Sequence, residues 1–445
     1  MSVQASPEKP QRLMSLDAYR GFIMLAMASA GLGFTQVVKR LQESATERGV
    51  AWDGWGKWFW ESLAYQFDHV AWTGCGFWDL IQPSFMFMVG VAMPFSDSRR
   101  AQAGQSPARR FAHVMWRALM LIGLGVFLSS NGEPLTIFTF VNVLTQIGLG
   151  YVFLYLLSAR SFRTQLTAAI VILVGYWAWF ALVTIPPDEL SPLTQAIEHL
   201  DKKHDQRVDQ FTGFAAHWNK HTNATAAVDR VLLNQFPRKE EAWEGRKFWY
   251  NSGGYQTLNF VPSLATMIFG LLAGGVLRGP RTDQEKLKWL LLAGGLCFAV
   301  VLAIDTTIWP VSIPGFSWSL CPSVKRIWSP TWAVFSTGWT FWMLAAFYWS
   351  IDIRGWRAWS WPLVVVGMNS ITMYCLSQLL KPWLGRTLKT HLTTLTGVGS
   401  EDSGLLFFLF SDKFVYAPIF ERLAVLFLLW LVCLWLYRQK IFVRI

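Results

Sequence analysis

Charge is what this sequence has least of. Asp, Glu, Lys and Arg make up 15% of its 445 residues, and 53% are hydrophobic. Soluble domains carry about a quarter charged residues, and a soluble chain of this length would more readily divide into two domains. That scarcity excludes an ordinary water-soluble enzyme. Acid is scarcer than base: 28 Asp and Glu face 39 Lys and Arg, a net charge of +11. A basic surplus often marks a nucleic-acid binder. Here the basic residues sit in short connections between apolar runs, so membrane orientation explains them and nucleic acid is not an expected partner. There are five cysteines and no CxxC pair, which removes the usual zinc and dithiol spacings. Cys297, Cys375 and Cys433 fall in apolar runs and read as small buried hydrophobes. Cys75 and Cys321 fall on one side of the membrane by the topology below, which leaves a disulfide between them open. No internal repeat and no low-complexity tract is present, so the inverted-repeat pattern of many transporters is missing.

What the sequence does have is long apolar runs and 26 Trp, a residue that collects at membrane–water interfaces. A span needs about 20 mostly apolar residues. Ten runs fit: 13–34, 77–96, 112–129, 136–158, 165–185, 257–277, 287–304, 327–350, 359–380 and 415–437. The expected fold is therefore an all-α polytopic membrane protein of about ten transmembrane helices, forming one domain over 1–445. The connections 97–111, 159–163, 278–288 and 351–358 and the tail "YRQKIFVRI" are rich in Arg and Lys. With alternating spans all five share the side of the N-terminus, and Lys and Arg in short loops mark the cytoplasmic side. Both termini are thus expected inside. The segments 35–76, 130–135, 186–256, 305–326 and 381–414 are expected outside. "GFIMLAMASA" resembles a signal-peptide core with a cleavage site, but its polar lead is long and its apolar core short, so it reads as the first span.

The outer segment 186–256 is the one sizeable hydrophilic insertion. It holds His199, His204, His217 and His221. His217 and His221 have the spacing of two ligands on one helix face, yet no Glu or third ligand is patterned with them, so a solvated face is expected and no metal site. "NAT" at 223–225 fits a glycosylation acceptor.

Polar residues inside the runs are the candidates for chemistry. "RLMSLDAYRG" puts Asp17 and Arg20 three apart on one face of the first span, either as an ion pair with Arg20 reaching to the interface or as a hold on an anionic ligand. "FDHVAWTG" supplies His69 at the outer lip of the second span; Asp68 or Asp79 can fix its tautomer, as carboxylates do in hydrolytic triads. "VNVLTQIGLGY" places Asn142 and Gln146 four apart within the fourth span, as helix–helix glue or as a polar lining. "CPSVKRIWSPTW" puts Lys325, Arg326 and Trp328 at the outer mouth of the eighth, and "VGMNSITMY" puts Asn369 inside the ninth. Polar groups recurring in several spans suggest a cavity through the bundle.

Five stretches, "RLMSLDAYRGF", "DHVAWTGCGFWDLIQPSFMFMVGVAM", "NFVPSLATMIFGLLAG", "KRIWSPTW" and "GMNSITMY", stand in the order that resembles the heparan-α-glucosaminide N-acetyltransferase family and its bacterial relatives. The resemblance runs from about residue 12 to 380 and is weak over 186–250. It implies a membrane-embedded transferase that takes acetyl-CoA from the cytosol and acetylates a terminal amino sugar on the other side. It implies that His69 is the active-site histidine, that Asp17 and Arg20 match the family's "SxDxxRG", and that the membrane is a bacterial inner membrane. On this reading Asp68 and Asp79 assist His69. Asp17, Arg20, Arg117, Asn142, Gln146 and Asn369 receive the donor; Lys325 and Trp328 face the acceptor. Expected partners are the bilayer, the donor and an outer sugar, with a homodimer left open. The other reading of the same residues is a transporter, or a membrane protein that keeps the fold without the chemistry.

Overall fold

The computed structural model describes residues 13–184, 194, 210–238, 251, 253–308, 317–394, 409–411 and 414–443. His199 and His204 lie outside the described residues. Among the described residues all regular structure is helical; the only strand-like pairing is two isolated bridges, Thr73 with Val324 and Asp305 with Ser319.

Each of the ten apolar runs coincides with a helix or a broken pair. These are α1 (Met14–Ala28), α4 (Ile81–Gln102), α5 (Pro107–Ser129), α6 (Val143–Ser158), α7 (Phe162–Leu182), α9 (Phe260–Arg278), α10 (Asp283–Ile304), α11 (Pro330–Phe347), α12 (Trp361–Gly367) with α13 (Ser370–Thr394), and α14 (Ala417–Arg438). Among the described residues three longer helices lie outside the apolar runs: α2 (Phe34–Glu47) and α3 (Gly54–Gln66) between the first two, and α8 (Ala224–Leu232) in the hydrophilic insertion. Local signals start several of them. Ser-Pro opens both α5 and α11, with Ser106 and Ser329 accepting first-turn amides, and Thr282 with Glu285 forms a capping box on α10.

Length and composition alone support fewer spans than the ten expected. Among the described residues five helices pass, namely α5, α7, α9 (counted from Thr257), α10 and α14. The number rises to seven if α1 with the helical stretch after it, bent by 42°, and α12 with α13, bent by 71°, are each one span. The shortfall has a physical cause. The last turns of α4 carry Asp97, Arg99 and Arg100, and α6 has only 16 residues. The apolar outer faces of α5, α7, α10 and α14, with Leu119, Val171, Leu292 and Phe427 exposed, meet hydrocarbon in an integral membrane protein.

The centre of the bundle is α4 against α9, the most extensive helix pair. α9 is buried along most of its length. The two backbones touch because glycines face each other: a Cβ on Gly270 would collide with the carbonyl of Phe87, one on Gly90 with that of Met267, and one on Gly274 with that of Val91. α1 meets α12 the same way, through Gly21 on Leu363 and Gly367 on Asp17. Small residues at such contacts are how membrane helices approach closely. The first turn of α1 is capped from the helical turn Tyr348–Ile353 that continues α11, the Asp352 carboxylate accepting from the amides of Met14 and Ser15 at 3.2 and 3.3 Å, where an anion also suits the helix dipole.

The α4–α9 contact gives a first prediction. Gly270→Ala drives a methyl into the Phe87 carbonyl and should cost about 1–3 kcal/mol. Gly275→Ala, one turn on and facing open space, should be neutral or stabilise by up to about 1 kcal/mol. Thermal unfolding of the two variants in detergent reads the difference; equal effects would show that the contact is not tight.

Candidate active site

Two irregular segments meet at one end of α4. The first, residues 68–80, leads into α4 and ends in a tight turn, Phe77–Leu80. The second, residues 320–329, leads into α11. The Thr73–Val324 bridge joins them. Behind them the insertion is fixed by Trp72, whose indole donates to the carbonyl of Trp218 at 3.2 Å.

At this junction stand His69, Asp79 and Lys325. Asp79 is fully buried and every side of its carboxylate is occupied. One oxygen accepts from Lys325 Nζ at 3.1 Å and lies 2.8 Å from His69 Nδ1. The other accepts from the amides of Val70 and Gly76 at 3.3 and 3.1 Å. Lys325 is 3% exposed and its Nζ also lies 3.0 Å from His69 Nδ1. A single Nδ1 cannot both carry a proton for the carboxylate and accept one from the ammonium. With Lys325 donating to Asp79, an unprotonated Nδ1 would set two lone pairs against each other at 2.8 Å, so the tautomer assigned has Nδ1–H donating to Asp79. His69 Nε2 then holds the free lone pair. The His69 side chain is 40% exposed, so this nitrogen is reachable.

His69 is held neutral. Burial lowers its pKa most; Asp79 pulls it up; Lys325 and Arg326 push it down, and the sum lies below the ordinary histidine value. A neutral imidazole fixed through Nδ1 by a carboxylate and open at Nε2 is equipped to take a proton or to attack an acyl carbon.

The loop that carries Lys325 is itself held in place. Trp328 has φ 48°, a conformation rare for a bulky residue and costing about 1–3 kcal/mol. It is kept because the indole is buried and donates to Thr266 at 3.4 Å, while its amide donates to the Lys325 carbonyl. Asn259 donates to the Arg326 carbonyl at 2.8 Å. Arg326 in turn donates to the carbonyls of Gly253 and Val70. Farther back, buried Asp229 accepts from the amide of Thr257 at 2.9 Å, and burial pushes its carboxyl up to about 6.

Of the residues singled out from sequence, the structure brings His69, Asp79 and Lys325 into contact, with Arg326 near enough to act on the histidine. Asp68 does not reach the His69 ring; its carboxylate accepts from the Thr35 hydroxyl and the His69 amide. Trp328 is buried and does not face the outer mouth. Asn142 is not within a span: it caps α6, accepting from Leu144 and Thr145 amides. Gln146 donates to the carbonyls of Phe140 and Thr257. Asn369 sits at the break between α12 and α13 and pairs with the backbone of Ile441 and Val443. Asp17 and Arg20 lie in the first two turns of α1, the end that Asp352 caps, and Arg117 stacks on Tyr151 with its guanidinium 4.8 Å from the ring centre.

The structure also bears on three points the sequence left open. Cys75 and Cys321 are both buried free thiols, not a disulfide. His217 and His221 share no helix, because a short turn ends at Trp218 and His221 has φ 67°; no group of three metal-type ligands occurs among the described residues. Asn223 of the glycosylation pattern is buried as the cap of α8. The sequence reading missed the supporting groups Asn259, Asp305 and Trp72. Asp305 was the legible one, a fully buried carboxylate just beyond an apolar run, which accepts from the amide of Ser323.

No family model matches the chain. Among curated proteins it is similar to human heparan-alpha-glucosaminide N-acetyltransferase, 22% identical over 404 residues, which cover 82% of this chain and 52% of the human one. It is also similar to the mouse protein of the same name, 24% identical over 344 residues, 70% of this chain and 49% of that one. The chain spans about half the length of the curated relatives it matches.

The buried trio makes two predictions. Removing one charge, by Lys325→Met or Asp79→Asn, should cost about 3–5 kcal/mol because the partner is left unpaired in a dry site. The double variant should regain much of this, which a double-mutant cycle of melting temperatures measures; strict additivity would deny the pair. By NMR with ring-labelled histidine, His69 should titrate below about 6.5, higher in Lys325→Met and lower in Asp79→Asn, the first losing a repelling cation and the second an attracting anion.

Proposed function

We propose that this member of the heparan-α-glucosaminide N-acetyltransferase-like group is itself a membrane-embedded acetyl- or acyltransferase. The observation that supports the reading is His69, fixed through Nδ1 by a buried carboxylate and open at Nε2, in a chain whose curated relatives are named as acetyltransferases. Some ten spans traverse the membrane, the short or polar helices α4, α6 and α11 shielded within the bundle. Both termini are cytoplasmic, and the chain forms one transmembrane domain with the insertion 186–256 outside. His69 then stands on the outer side of a bacterial inner membrane.

Acetyl-CoA is the donor and arrives from the cytoplasm. The acceptor is the amine of an outer amino sugar or glycan. His69 Nε2 takes the proton of the acceptor amine as that nitrogen attacks the thioester carbonyl. The carbon–sulfur bond then breaks and the proton passes to the departing thiolate, leaving an amide and CoA. In the two-step variant Nε2 itself attacks and the carbon–sulfur bond breaks, giving CoA as the thiolate and an acetyl-imidazolium; the amine then takes the acetyl group, the Nε2–carbon bond breaks, and the proton the amine loses balances the thiolate's charge. In both, Asp79 holds the ring and offsets the positive charge that develops on it, and Lys325 keeps Asp79 ionised and still. Asp17, Arg20 and Arg117 belong to the donor side. Asn142, Gln146 and Asn369 hold backbone and contribute to donor handling only by shaping the bundle.

The test uses purified protein with acetyl-labelled acetyl-CoA and glucosamine, wild type beside His69→Ala. Transfer should fall by about 10²–10⁴ in the variant, with thiol release falling in step. Label retained on wild-type protein and absent from the variant selects the two-step route. Unchanged turnover in His69→Ala would sink the proposal, and substrate movement across liposomes without acetyl transfer would favour a transporter.

A further inference from the structure

α4 ends far from His69. Arg100 lies 19 residues beyond Ile81 in that helix, about 28 Å at 1.5 Å per residue. There the last turns of α4, the first turns of α5 and the last turns of α6 enclose a cleft lined by Ser96, Asp97, Arg100, Arg110, His113, Tyr151 and Tyr155 among others, with about 260 Å³ of space open to solvent. Arg117, one turn beyond His113, lies over the Tyr151 ring.

The chemistry of this cleft is unbalanced in one direction. Its one carboxylate, Asp97, takes both its contacts from a single nitrogen of Arg110, at 2.9 and 3.0 Å. That leaves Arg100 and Arg117 as uncompensated positive charge around it. Among the described residues three nitrogens in or beside this cleft, Arg110 Nε, His113 Nε2 and Arg117 Nε, are withdrawn from solvent and have no hydrogen-bond partner. Guanidinium Nε–H groups only donate, and buried donors are nearly always paired. Two such groups beside a cleft lined by Arg100, Arg110 and His113 suit an added acceptor. The acceptor that suits several guanidinium groups is a phosphate, with its multiple oxygens and charge.

We propose that the cleft between α4, α5 and α6 binds a phosphate ester through Arg110, His113 and Arg117. Two molecules carry such a group at this end of the bundle: the phosphorylated end of a CoA donor, and the head group of an anionic lipid in the adjacent leaflet. Basic pockets between membrane helices bind lipid head groups on the same physical ground. The donor source rests on the acetyl-transfer reading; the lipid source does not.

The test places the full chain in nanodiscs of phosphatidylcholine alone or with phosphatidylglycerol added. CoA binding is titrated in the first, and the rise in melting temperature caused by phosphatidylglycerol is read by comparing both. Arg117→Gln and His113→Gln are measured beside wild type, with Arg117→Lys retaining the charge and Arg160→Gln removing an exposed arginine outside the cleft. A tenfold or greater weakening of CoA binding in both neutral variants, partly restored in Arg117→Lys and absent in Arg160→Gln, assigns the cleft to the donor. Loss of the phosphatidylglycerol effect in the same variants, with CoA binding untouched, assigns it to lipid. If a Gln variant fails to fold, the steepness of the Arg117→Lys and wild-type salt dependence decides, since phosphate contact requires binding to fall with salt. A wild-type chain that responds to neither probe, or folded variants indistinguishable from wild type with both, overturns the proposal. Because both readouts are binding measurements that need no turnover, failure here and failure of acetyl transfer are told apart.

Discussion

The ion pair between Asp79 and Lys325 is the constraint on which the site depends. Burying two charges is expensive, and their attraction repays it only when the remaining hydrogen-bonding capacity is filled. Asp79 meets that condition with two backbone amides, an ammonium and an imidazole. The pair therefore does more than stabilise. It clamps the segment ahead of α4 to the segment ahead of α11, and it leaves the imidazole one fixed orientation. A hydrophobic pair of similar volume would join the segments but would not orient the ring.

The clamp needs rigid helices to act on. Glycine-mediated contact lets α4 and α9 approach backbone to backbone, so neither can shift without the other. α9 begins beside Asn259, which holds the Arg326 carbonyl. Thus the same helix that packs α4 along its length also steadies the loop that presents Lys325. The left-handed Trp328 belongs to this design: strain in the loop is tolerated because the indole is anchored on Thr266 of α9.

Much of this was legible in the sequence, and the part that was not has a common cause. The positions of the apolar runs were legible because hydrocarbon demands unbroken stretches of apolar residues. His69 was legible because a titratable group at the lip of such a run is conspicuous. The choice between Asp68 and Asp79 was not. It depends on the turn at Phe77–Leu80, which aims Asp79 inward while Asp68 turns to Thr35. Lys325 looked like a group facing the outer mouth because sequence shows its charge but not the carboxylate 246 positions away that buries it. Asn142, Gln146 and Asn369 looked like a channel lining for a related reason. A polar side chain in an apolar segment must find a partner, and these found broken or starting helix backbone, where unpaired carbonyls and amides are available.

Polar groups in this bundle therefore sort into two kinds. Those at helix breaks and caps satisfy backbone and hold the shape. Those at the two ends of α4 do not serve backbone alone: at one end an imidazole keeps a free nitrogen, and at the other three basic nitrogens lack acceptors. α4 is the one helix that touches both places, and its tight seat on α9 fixes their separation. Chemistry at His69 and anion capture near Arg110 are then set by one rigid element, with binding at one end unable to alter geometry at the other except through the whole helix pair.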